Sequence, residues 1–360
     1  MIGYYSLSII GKSHQKKEGS VCQDAHCVKL LENGWVVAAI ADGLGSASHS
    51  DVGSSIAVET VVKIVDESLP PEWNTEKVIS LLRSAYDEAL KLIKQKSIED
   101  ANSIRDYDTT LTTIIYNGVE VVFAHVGDGG IITLNNFGYF KIITTVQKGD
   151  AFNEVVPLRA GQDAWAFGST SDPICAVLML TDGIYDVACP PIISKTEQPI
   201  RINYVRQFMD RNKLQVNTVY DFVQLNRKVQ QFYEGPGSDI ITDDKTIVGI
   251  INTDIIPDVR EEGYYLEPDI KALVEEQRRR LYNMKYEPDS EISEDRCALT
   301  KNGGLDANDQ KSCPSDMIDD THNNKQETIV LSTVVNTAKN GKNKIFKSIL
   351  NIKESLFEDN

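Results

Sequence analysis

Four aspartates in this sequence share one local setting. Asp42 closes the apolar run WVVAAIA and precedes Gly43. Asp128 follows VFAHVG and precedes Gly129. Asp182 follows CAVLMLT and precedes Gly183. Asp243 stands just before the apolar run KTIVGII. Each carboxylate therefore lies at one end of a segment that reads as a buried β-strand. Strand ends converge on one edge of a sheet, and oxygen ligands gathered there suit hard divalent cations. A glycine after the aspartate lets the backbone turn and brings a carbonyl close to such an ion. Asp-Gly is also a common turn pair, so any one instance taken alone is more simply a turn. The metal reading gains weight jointly. Clustered carboxylates repel one another, and their pKa values rise unless cations bind between them.

The elements that must carry these carboxylates are legible in outline. WVVAAIA (35–41) reads as a buried strand. Ser50 and Asp51 offer caps for a helix through VGSSIAVETVVKIVDESL, which Pro70-Pro71 ends, and a second helical run extends from Thr75 to Lys96. TTLTTIIYN (109–117), VEVVFAHVG (119–127), GIITLNN (130–136) and GYFKIITTV (138–146) are β-branched and aromatic. With NG at 117–118 and NNFG at 135–138 as tight turns, they predict an antiparallel meander. ICAVLML (174–180) is a further strand, Arg201 to Tyr233 is largely helical, and KTIVGIIN (245–252) is the last strand. A charged helix is expected near Ile270–Tyr282.

Composition sets the outer bounds. The chain has 360 residues, 41% of them hydrophobic, and a formal net charge of -16. That charge argues against a nucleic-acid binder, which needs clustered Lys and Arg. No apolar stretch approaches membrane-spanning length. The N-terminus MIGYYSLSIIGKSHQKK lacks a signal-peptide layout, and six scattered cysteines read as free cytosolic thiols. A cytoplasmic protein is the expectation. Residues 288–325 are polar, with few large apolar groups, which predicts disorder. KIFKSILNIKESLF (344–357) interrupts that polarity as a candidate amphipathic helix.

VCQDAH (21–26), AIADGLGS (39–46), TTLTTIIY (109–116), AHVGDGG (124–130), LTDGIYD (180–186) and DDKTIVGII (243–251) occur in this order over residues 8–252. In these motifs the chain resembles the metal-dependent serine/threonine protein phosphatases of the 2C type, most of all a bacterial branch. The resemblance implies an α+β fold, a four-layer αββα sandwich of two antiparallel sheets flanked by helices. With the composition of the C-terminal part, the chain divides into a phosphatase domain over 1–256, a charged helical extension over 257–286 and a largely disordered tail over 287–360. The resemblance also implies a binuclear Mn2+ or Mg2+ centre, with a third ion bound more weakly. Carried over by motif, Asp42 bridges two metals, the Gly43 carbonyl binds one, Asp24 helps hold that one directly or through water, and Asp182 and Asp243 serve the other. Asp128 joins Asp182 at the third site. A metal-activated water would then attack a phosphoserine or phosphothreonine of a protein substrate, opposite a cognate Ser/Thr kinase, in a monomeric signalling enzyme.

The sequence departs from the family pattern near its start. Gln23 stands where relatives often carry Glu, and Gly19 where they commonly carry a phosphate-binding Arg. Among Lys12, His14, Lys16 and Lys17, His14 is the first candidate to replace it, so Asp42, Asp182 and His14 form the expected catalytic set. Gly129-Gly130 replaces a Ser-Arg pair. His26 and His125 flank motif aspartates as candidate supporting partners, and Thr109, Thr110 and Ser46 read as structural hydroxyls. A variable flap over the site is expected between Asp186 and Asp239, with Tyr204 to Tyr233 as its helical insert. Two other readings compete: a pseudophosphatase that binds partners, and a nucleotide-binding protein using GLGS as a phosphate cradle. The second lacks GxxxxGK[ST] and a Rossmann alternation.

Overall fold

A computed structural model describes residues 1–15, 20–148, 155–192 and 198–286. Gly19, Lys16, Lys17, the tail over 287–360 and the candidate helix at 344–357 lie outside the described residues. Two five-stranded antiparallel sheets face each other. The first runs β1 (Ile2–Ile9), β10 (Lys245–Asn252), β9 (Ile174–Leu180), β6 (Gly130–Asn135), β7 (Phe140–Ile142). The second runs β2 (Ala25–Leu30), β3 (Val36–Ala41), β4 (Leu111–Tyr116), β5 (Val121–Val126), β8 (Ala166–Ser169). Helices α1 (Ser50–Ser68) and α2 (Thr75–Glu99) cover the second sheet. α4 (Ile202–Met209) and α6 (Val219–Glu234) cover the first.

The expected four-layer sandwich is therefore the observed one, and β3 shows why its strands are apolar throughout. Val37, Ala39 and Ala41 face α1 and α2, while Val36, Ala38 and Ile40 face the opposite sheet. A strand buried on both faces reads as a continuous run rather than an alternation. Asp42 is the next residue, so the carboxylate appears where the double burial ends.

Three local expectations are corrected. The strands over 109–146 do not form one meander: β4 and β5 pair in one sheet, β6 and β7 in the other. The chain changes sheet at Gly127–Gly129. Gly127 adopts φ +127°, where side chains are strained, and a Cβ there would lie 2.5 Å from the Thr110 side chain. Secondly, α1 begins at Ser50 behind His49, whose side chain makes no cap hydrogen bond. His49 instead stacks on Tyr107 with ring centroids 5.3 Å apart.

The third correction concerns Tyr204 to Tyr233. These residues are a layer of the sandwich, not a flap. The Tyr5 hydroxyl donates to the Phe208 carbonyl at 2.7 Å, and a Cβ on Gly3 would lie 2.1 Å from the Phe222 ring. The amphipathic pattern that suggested an insert is the apolar face that covers β1 and β10. The two turns read from sequence are present. At Asn117 the side chain accepts from the amides of Val119 and Glu120, and Gly138 has φ +80°. CPP ends α3 (Asp182–Ala188) at Cys189.

Among the described residues, those from Asp269 to Tyr286 belong to a second compact unit. Within it α7 (Ile270–Tyr286) starts behind Asp269, which accepts from the amides of Lys271 and Ala272 at 3.1 and 3.3 Å. Among the described residues no helix is long and apolar enough to cross a membrane.

Candidate functional site

The pairing register brings the four strand ends together. Leu180 of β9 pairs with both Gly130 of β6 and Ile247 of β10, while Ile40 of β3 pairs with Thr112 of β4. Asp42, Asp128, Asp182 and Asp243 thereby meet at one edge of the sandwich. They line a cavity of about 270 Å³ together with His14, Gln23, Gly43, Ser46, Thr110, Asp244 and their neighbours. Asp24 lies behind this wall, buried.

Asp42 is held by its backbone. Its amide donates to Thr110 Oγ1 at 2.8 Å, and its carbonyl accepts from Thr110 N and Thr109 Oγ1, both at 2.9 Å. The two threonine hydroxyls therefore fix the residue and leave its carboxylate facing the cavity. Gly43 bridges to Thr109, and a Cβ at Gly43 would stand 2.6 Å from the Gln23 carbonyl and 2.8 Å from Ser50. Only glycine fits this turn. Gln23 acts through its backbone: its carbonyl accepts from Gly43 N at 3.2 Å and Ser54 Oγ at 2.6 Å, and its amide donates to Asp244 at 2.6 Å.

The carboxylates repel one another. Burial raises Asp24, Asp42 and Asp128 above the ordinary aspartate range, and neighbouring acids add to each shift. Asp24 feels Asp182 and Asp244. Asp42 feels Asp24, Asp182 and Asp128. Asp128 is pushed up to about 7 by burial and by Asp182. Asp243 is more open but shifts the same way, through partial burial and Asp182.

Among the described residues no three acidic, histidine or cysteine side chains stand as a ready-made coordination sphere. The acids converge on one cavity, but Asp24 stands behind its lining and is turned to Thr181 Oγ1, which donates at 2.7 Å. The donor set is nonetheless the one a hard divalent cation takes. It is all oxygen, anionic and crowded, and a cation would relieve the repulsion that lifts these pKa values. The residues fit such ions.

The remaining candidates divide. His14 lines the cavity, with Nδ1 3.0 Å from Asp244 Oδ1 and Nε2 3.9 Å from Asp243 Oδ1. Lys12 instead pairs with Asp239 at 2.6 Å, outside the cavity lining. His125 is fully buried, bonded to Thr112 Oγ1 at 2.8 Å, and burial pushes it down to about 4, so it stays neutral. His26 reaches the acids only through a relay. Its Nδ1 contacts Ser8 Oγ, which contacts Thr246 Oγ1, and Thr246 N donates to the same Thr181 hydroxyl that holds Asp24. No described residue between Asp186 and Asp239 lines the cavity.

Two residues escaped the sequence reading. Asp244 is buried and accepts backbone amides from two segments. The doubled Asp243-Asp244 was the available signal. Lys245 is fully buried, and its ammonium donates to the Asp243 carbonyl at 3.0 Å. A lysine opening an apolar strand gives no such signal.

Comparison with known proteins adds the following. A family profile described as protein phosphatase 2C matches residues 10–228. Among solved structures, the serine/threonine phosphatase Stp1 from Staphylococcus aureus aligns with TM-score 0.47 and 12% identity, over 70% of this chain and 95% of its own. The catalytic domain of the serine threonine protein phosphatase PstP, in complex with two manganese ions, aligns with TM-score 0.45 and 18% identity, over 69% and 97%. PppA, a regulatory component of T6SS in Pseudomonas aeruginosa, aligns with TM-score 0.47 and 16% identity, over 69% and 97%. No curated protein matches the chain in sequence.

Proposed function

The chain belongs to the protein phosphatase 2C family, and on that premise we propose that it hydrolyses phosphoserine or phosphothreonine in a protein substrate with a water activated by divalent cations. One observation carries the reading: strand-end carboxylates from both sheets line a single cavity. Asp42, the Gly43 carbonyl and Asp24 would hold one ion, and Asp42, Asp182 and Asp243 a second. Asp128 with Asp182 would hold a third, weaker one. Mn2+ or Mg2+ suits these oxygen donors, and the similar PstP domain carries manganese. Bound there, the cations would supply a hydroxide near neutral pH and offset charge on the phosphoryl oxygens.

The chain's own residues do the positioning. Thr109 and Thr110 clamp the Asp42 backbone. The crowded Gly43 turn presents its carbonyl. His14 meets the substrate phosphate from the rim, in place of the arginine the family commonly carries. Cys22 takes no nucleophilic part, because burial and Asp24 push its thiol well above the usual range.

Hydrolysis of p-nitrophenyl phosphate and of a phosphothreonine peptide with Mn2+ tests this reading. Asp42→Asn and Asp182→Asn should each abolish turnover, and activity that survives both would overturn the metal mechanism. A partner-binding pseudophosphatase is the second reading. Gln23 at the first motif, and Asp24 standing behind the cavity lining, favour it. A folded wild-type chain inactive with both Mn2+ and Mg2+ would establish it instead. The leading reading sets the protein in bacterial signalling, as a cytoplasmic monomer opposite a Ser/Thr kinase. A dimer in sedimentation would remove the monomer part.

A further inference from the structure

We propose that Asp244 is a positioning residue that fixes His14 at the phosphate-facing rim, a role that rests on His14 being the phosphate contact. Asp244 is buried at the base of the cavity wall. Its Oδ1 accepts from Gly11 N and its Oδ2 from Gln23 N, each at 2.6 Å. One carboxylate therefore ties the turn after β1 to the segment before β2. His14 closes that turn, donating its amide to the Gly11 carbonyl at 3.0 Å. Its Nδ1 stands 3.0 Å from Asp244 Oδ1, a close approach that is off the hydrogen-bond line.

The turn itself cannot slide. Ser13 donates both its amide and its hydroxyl to the Thr242 carbonyl, at 2.9 and 2.6 Å. A Cβ on Gly11 would lie 2.3 Å from the Asp243 carbonyl carbon, so the two backbones are in contact. With Nδ1 addressed to Asp244, Nε2 is the ring nitrogen left for a phosphoryl oxygen. By holding the amides of Gly11 and Gln23 and standing beside the ring, Asp244 fixes where the imidazole sits. Asp244 touches no substrate and acts through His14.

A double-mutant cycle tests the inference. Wild type, His14→Ala, Asp244→Asn and the double variant are assayed with a phosphothreonine peptide at saturating Mn2+, with inorganic phosphate as inhibitor. His14→Ala should raise KM and the phosphate inhibition constant about tenfold, the size of one charge-assisted contact. Asp244→Asn should raise both severalfold in the wild-type background and leave them unchanged in the His14→Ala background. Effects that multiply would overturn the positioning role. If His14→Ala alone changes neither constant, the reading of His14 as the phosphate contact fails.

Nitrogen-15 spectra of the histidines, with the His14 signal assigned by its loss in His14→Ala, decide the positioning separately. If Asp244→Asn does not fold, Asp244→Glu takes its place in both measurements. A His14 signal that moves when Asp244 is replaced supports the role, and one that stays in place overturns it.

Discussion

The cavity has two walls built from the same residue type, and they differ in what the carboxylates meet. On the inner wall Asp24, Asp42, Asp128 and Asp182 face mainly one another. Asp24 is met by threonine hydroxyls, Thr181 at 2.7 Å and Thr246, and burial outweighs them. On the opposite wall Asp244 is equally buried but receives two backbone amides at 2.6 Å, each from a different segment. Strand-end position is shared; amide supply is not. The inner wall is poised to take up positive charge, while Asp244 acts as a fastener.

That contrast is tested most severely by Asp42→Asn. Turnover should fall by about a thousandfold or more, on the order of 4 kcal/mol of transition-state stabilisation. In chelator the same variant should melt at a higher temperature than wild type, because one repelling charge is gone. A lower melting temperature would show that the inner wall is not under electrostatic strain.

Gly43→Ala comes next. Its new methyl would collide with the Gln23 carbonyl and Ser50, costing about 3 kcal/mol in denaturant unfolding. Wild-type stability in that variant would mean the turn is looser than described. Asp244→Asn should cost about 2 kcal/mol, since one of its two amides loses an acceptor. The fastening wall thus loses stability on neutralisation where the inner wall gains it.

The pH dependence is a smaller effect, with a definite sign. Asp24, Asp42 and Asp128 have folded pKa values above their unfolded ones, so between about pH 4 and 7 the folded, metal-free chain binds more protons than the unfolded one. Through these three groups stability is full below about pH 4 and is lost as pH rises toward 7, while buried His125, held down to about 4, gives the opposite slope up to about pH 6.5. Saturating Mn2+ should flatten that slope in thermal melts across this range. In chelator Asp42→Asn should lose less stability than wild type over that interval, and an identical pH dependence in the two would contradict the crowding. Smallest of all, His14→Ala should shift stability by less than about 0.5 kcal/mol, because its ring makes no aligned hydrogen bond.

Much of the inner wall was legible in the sequence. VVAAIA before Asp42, ICAVLML before Asp182 and KTIVGII after Asp243 are strands buried on both faces, and such strands announce themselves as unbroken apolar runs. The meander was misread because local pattern shows that β4 to β7 are strands and that 117–118 and 135–138 turn. It does not show that the chain leaves one sheet for the other at Gly127. The helices from Tyr204 to Tyr233 were misplaced for a related reason. An apolar helix face shows that it is covered, not by what, and here the cover is β1 and β10.

The sequence by itself determined the strands, the carboxylates at their ends and the family motifs, because these depend on residue type and near spacing. Tertiary structure alone decided which acids lack amide partners, that Asp244 joins the turns bearing His14 and Gln23, and that His125 is sealed from the site. Those outcomes depend on backbone groups more than 200 residues away in the chain, as with Gly11 and Asp244, or on burial between two sheets. Neither is written in any local stretch.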